Sequence, residues 1–76
     1  MTKQEQLVEY QIQDIIDYIV TDIQIEYDKA MQLFYNSKTF DKLIDIETGL
    51  YLESPAYVYS LFQDERKFGY LIQAEI

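Results

Sequence analysis

The chain has 76 residues and a mass of 9.1 kDa, which is enough for one small domain. With no Cys and no His, it is excluded from disulfides, Cys- or His-ligated zinc, thiol nucleophiles and every His-dependent triad. Fourteen acids against six bases give −8, a charge that repels nucleic acid unless a local basic patch offsets it, and no run of Lys and Arg supplies one.

The first residues carry a helix-start signal. In Thr2-Lys3-Gln4-Glu5 the Thr2 hydroxyl can accept from the Glu5 amide while the Glu5 carboxylate accepts from the Thr2 amide, a capping box. Val8, Ile12, Ile15 and Ile19 follow in steps of four, three and four, so a helix is expected over residues 2–21. Ile16, Val20 and Ile23 form a second apolar ridge beside that stripe. Residues 22–25 read as a connector, with Asp22 as a cap for the next helix. Tyr27, Ala30, Met31 and Phe34 then predict a second helix over 26–35, broken by Asn36-Ser37. Ser37 is expected to cap a third helix over 38–46 that buries Phe40, Leu43 and Ile44, with Thr48-Gly49 closing it. Ser54-Pro55 opens a fourth: Ser54 caps, and Pro55 takes the first helical position, where its missing amide costs nothing. Its inner face is expected to hold Val58, Leu61 and Phe62, with Tyr57 beside them. The imperfect alternation near 50–53 allows a short extended segment, as does the tail after Gly69. A lone strand has no partner in so small a chain. The sum is all-α: a compact bundle of about four short helices, forming a single domain over 1–76.

Carboxylates are the only abundant chemistry. A calcium loop started at Asp45 fails, because Gly49 falls fifth rather than sixth and Ala56 stands where the final Glu belongs. Asp14 and Asp17 read as a solvated helix face rather than a magnesium site. Gly49 and Gly69 stand alone, with no Lys-Ser or Lys-Thr pair after either, so there is no phosphate loop. Ser54 has no His base and is accounted for as a cap. No cofactor, metal, small-molecule substrate or enzymatic activity is therefore expected. No segment reaches the apolar length of a membrane span, and no basic-then-apolar leader opens the chain, so a cytoplasmic location is expected.

Tyrosine is over-represented, at eight of 76 residues. A core this small has no room for all of them, and Tyr supplies large contact area at low entropic cost. Tyr10, on the polar side of the first helix, together with Tyr51 and Tyr59, is a candidate contact residue. Ile16, Val20 and Ile23 are candidates because a small monomer has difficulty covering both apolar ridges of its first helix. A second copy across a two-fold axis, or another protein, is expected to cover them. A helix-turn-helix reading fails on charge: Lys38 and Lys42 are offset by Asp41 and Asp45, and Arg66 is the only Arg.

Through Phe34-Tyr35-Asn36-Ser37, the run from Asp45 through Gly49 to Ser54, and Tyr57-Val58-Tyr59, the chain resembles a family of small uncharacterised bacterial proteins. The likeness extends over nearly the whole chain. It implies a bacterial cytoplasmic protein and, because some such proteins neighbour toxin-like genes, an antitoxin-like or regulatory partner role; it carries over no site residue. The expected function is protein interaction, with a protein partner or a homodimer and no direct nucleic-acid binding. The rival is a nucleic-acid mimic, which needs one dense acidic face. Residues 1–37 carry −5 and residues 38–76 carry −3, and this dispersion favours the interaction module.

Overall fold

In the computed structural model, which describes residues 2–68, four α-helices form from the caps outward. The tail after Gly69, with Tyr70, lies outside the described residues. Helix α1 spans Lys3–Ile23. Thr2 caps it with both bonds of the capping box in place: Glu5 N–H to Thr2 Oγ1 at 3.1 Å, and Thr2 N–H to Glu5 Oε1 at 2.9 Å. The helix runs two residues past its expected end and stops at Gln24, whose φ of 60° is left-handed. Asp22 is therefore inside α1 and does not cap the next helix. Helix α2 spans Tyr27–Tyr35 with Glu26 at its cap, which makes no side-chain capping bond.

Ser37 ends α2 and starts α3, which spans Lys38–Ile44. Its hydroxyl donates to the Phe34 carbonyl and accepts from the Phe40 amide. The expected burial of Ile44 is not found; that side chain is 47 % exposed, while Leu43 is fully buried. The helix stops two residues short of 46 because Asp45 turns extended and its carboxylate accepts from Glu47 N–H. Two 3₁₀ turns come next, Ile46–Thr48 and Leu50–Leu52, joined by Gly49 at φ 70°. The extended segment allowed near 50–53 is thus a 3₁₀ turn. A strand there would need a ladder partner; instead Leu52 and Glu53 donate to the carbonyls of Gly49 and Leu50. Helix α4 spans Pro55–Phe68, with Ser54 Oγ accepting from Tyr57 N–H at 3.2 Å. Val58, Leu61 and Phe62 face inward, whereas Tyr57 stays 39 % exposed.

The core is centred on Phe34, which meets Phe40 and Phe62 edge-on at centroid distances of 5.6 Å each. Ile15, Ile16 and Ile19 of α1 close it from one side, and Leu43, Leu50 and Val58 complete it. The ridge expected to be left over is in fact covered. Ile16 is 1 % exposed, and Val20 and Ile23 are half-buried against the same core. The reason is geometric: α2, α4 and the second 3₁₀ turn all pack on α1, so its buried arc is broader than one helix partner would make it. Contacts of α1 with the second half of the chain advance in step, Gln11 with Glu53, Tyr18 with Tyr59 and Asp22 with Gln63, so α4 lies alongside α1 in parallel.

Candidate interaction surface

Three polar tethers set where the surface side chains stand. Gln11 is buried in α1, and its amide nitrogen donates to the carbonyls of Tyr51 and Glu53. Its Oε1 is buried without a donor among the described residues. This amide holds Leu52, between those two carbonyls, over the first half of α1. The second tether joins α1 to α4: Tyr59 Oη donates to Asp22 Oδ2 at 2.7 Å, with the Tyr59 ring 5.3 Å from Tyr18. The third is the Glu65 carboxylate of α4. It accepts from the amides of Lys38 and Thr39 at 2.7 and 2.9 Å and from Thr39 Oγ1 at 2.8 Å, so it caps α3 from outside.

The first tether brings the segment carrying Leu52 to the stretch of α1 that carries Leu7 and Tyr10. Leu52 and Tyr10 are 68 % and 66 % exposed, more than any other large apolar residue among those described, and Leu7 one turn before Gln11 is 42 % exposed. Glu9, Asp14 and Glu53 are exposed near them. On the neighbouring face of α1, Val8, Ile12, Ile44 and Ile46 line a cleft of about 670 Å³ rimmed by Glu5 and Glu9. No family model, curated protein or solved structure matches the chain. The surface has to be read from its own chemistry.

The sequence candidates scatter. Tyr10 lies on the patch. Tyr51 reaches it only through its carbonyl, its side chain being packed on the core. Tyr59 belongs to the tether with Asp22 on a different stretch of α1, and Ile16, Val20 and Ile23 belong to the interior and its margin. Leu7 and Leu52 escaped the sequence reading. Leu7 falls outside the stripe of Val8 and Ile12 and could have been noticed on that ground, whereas Leu52 carries no local signal. Among the described residues no three acids converge on a metal-sized space, and no helix is long and apolar enough to cross a membrane.

Burial, followed by the bond to Asp22 and its charge, pushes the Tyr59 hydroxyl up to about 12 from an ordinary 10.0, with Arg66 pulling weakly the other way. A group whose pKa is raised by folding stabilises the fold in its protonated form. That contribution is complete below pH 10 and is lost as pH climbs through 12. The urea-unfolding gap between wild type and Tyr59→Phe is therefore expected to hold below pH 10 and to close between pH 10 and 12. A gap that stays constant across that window would mean that folding does not raise the Tyr59 hydroxyl above its ordinary value.

Proposed function

We propose that the chain is a small acidic interaction module that captures a basic protein partner on the patch of Leu7, Tyr10 and Leu52. The observation that carries this is the exposure of Tyr10 and Leu52, 66 % and 68 %, on a chain of −8. Apolar side chains supply the anchors, and the surrounding carboxylates select and steer a cationic surface. A second copy fits less well, because pairing this face with itself sets Glu9, Asp14 and Glu53 against their own copies. The nucleic-acid mimic is also disfavoured, since Leu7 and Tyr10 interrupt the acids of α1. In this reading the protein acts as an antitoxin does, by occupying a partner's surface, and performs no chemistry of its own.

A dye-labelled amphipathic peptide of Leu and Lys serves as the probe. The double variant Tyr10→Ser, Leu52→Ser is expected to bind it about tenfold or more weakly while melting close to wild type, since both side chains are exposed. The variant keeps every charge. Unchanged affinity would show that the peptide reads net charge alone, and the patch would carry no function.

A further inference from the structure

A second surface has the opposite chemistry. Between α2 and α4 runs an open groove of about 620 Å³, with Ile25, Leu33 and Phe62 as its apolar lining and Lys29 and Arg66 among its polar residues. Two of the six bases thus stand at one groove of a chain whose net charge is −8. Arg66, the only arginine, holds its guanidinium 6.0 Å from the Phe62 ring centroid, so cation and apolar lining are adjacent. Glu65 also lines the groove, both of its oxygens accepting from Lys38 and Thr39 on the α3 side, so two bases stand against one acid there. Asn36 lines it too, its side-chain amide donating to the Gln32 carbonyl at 2.9 Å.

We propose that this groove binds an acidic, apolar peptide segment of a partner protein, with aliphatic side chains seated on Ile25 and Leu33 and carboxylates against Lys29 and Arg66. Charge complementarity favours this occupant: Lys29 and Arg66 outnumber Glu65 at the groove of a chain whose net charge is −8. Repulsion from the rest of the molecule is screened beyond about 8 Å at physiological salt, whereas direct pairs at the groove are not. A planar, five-donor guanidinium suits a carboxylate better than an ammonium does. The module would then hold partners of opposite charge on two separate faces. This reading stands independently of the Tyr10 patch.

The test uses the full chain and a short dye-labelled peptide of Leu, Phe and Glu, followed by fluorescence anisotropy. In the Tyr10→Ser, Leu52→Ser background, which removes the site proposed for basic peptides, the chain is expected to bind it at least about tenfold more tightly than the same peptide with Lys in place of Glu. Lys29→Glu combined with Arg66→Glu should reverse that preference, and Lys29→Glu alone, away from the Phe62 contact, should reduce it. Affinity for the Glu peptide should be the same with Tyr10 and Leu52 in place, which separates this groove from the patch. Equal binding of both peptides in that background, or indifference to Lys29→Glu and to the double reversal, would overturn the proposal. So would binding that appears only in a Leu71→Ser, Ile72→Ser chain, because the groove would then belong to the chain's own last residues.

Discussion

Replacing Phe34 by Ala is expected to leave the chain largely unfolded at 37 °C. Phe34 is fully buried, and its ring is shared between the edge-on contacts to Phe40 and Phe62, so it joins α2, α3 and α4 at one point. Removing a buried Phe side chain costs about 3–5 kcal/mol in transfer and cavity terms. A domain of this size has only about 4–11 kcal/mol of total stability, and each kcal/mol moves the midpoint by about 4–8 °C. The midpoint, followed by far-UV circular dichroism, should therefore fall by about 15 °C or more. Phe34→Leu keeps most of the volume and should lose less than half as much. A midpoint within a few degrees of wild type for Phe34→Ala would show that Phe34 is not the packing centre.

The second large effect concerns a single carboxylate. Glu65→Ala leaves the Lys38 amide, the Thr39 amide and the Thr39 hydroxyl without their acceptor, and Thr39 is fully buried. Hydrogen bonds to a charged group are worth about 1.5–3 kcal/mol net, and a buried donor left unmade adds its own desolvation cost. A loss of about 2–4 kcal/mol in urea unfolding is expected. Glu65→Gln keeps one acceptor oxygen and should lose about half of that. Thr39→Val removes the hydroxyl and its share of the cost, so Glu65→Ala and Thr39→Val together should lose less than their separate losses combined. Strict additivity would mean that the two side chains do not act on each other. The same carboxylate positions α3 against α4, so hydrogen exchange at Lys38 and Thr39 should accelerate in Glu65→Ala.

Agreement between sequence and structure is best at the capped helix starts and at the apolar stripes, and poorest at helix ends and at surfaces assembled from distant segments. Three of the four helix starts among the described residues were legible: Thr2 with Glu5, Ser37 with Phe40, and Ser54 with Tyr57 are all three residues apart, so the capping side chain and the amide it serves sit in one local pattern. The start of α2 was not, since Asp22 lies inside α1 and Glu26 caps α2 without a side-chain bond. The all-α architecture followed from those starts and from the apolar periodicity between them. Tyr10 was legible as a surface residue because it falls off the stripe of Val8, Ile12, Ile15 and Ile19. The stopping point of α3 was not, since it depends on Asp45 turning to its own Glu47 amide and on Thr48 donating to the Lys42 carbonyl.

Periodicity also shows that α1 has two apolar ridges, but not how many neighbours will cover them. That count is a property of the assembled chain, and with α2, α4 and a 3₁₀ turn all against α1, Ile16 goes to the interior and Val20 and Ile23 are left half-buried at its margin. The most exposed apolar side chains stand elsewhere. Leu52 is exposed because Gln11, about forty residues away, takes the carbonyls on either side of it. Lys29 of α2 and Arg66 of α4, far apart in sequence, share a groove only in the folded chain. Composition, caps and helix content were thus determined locally, through contacts within one turn. The two surfaces proposed for binding were decided only by tertiary packing, because each is assembled from segments held together by hydrogen bonds spanning twenty-six residues or more.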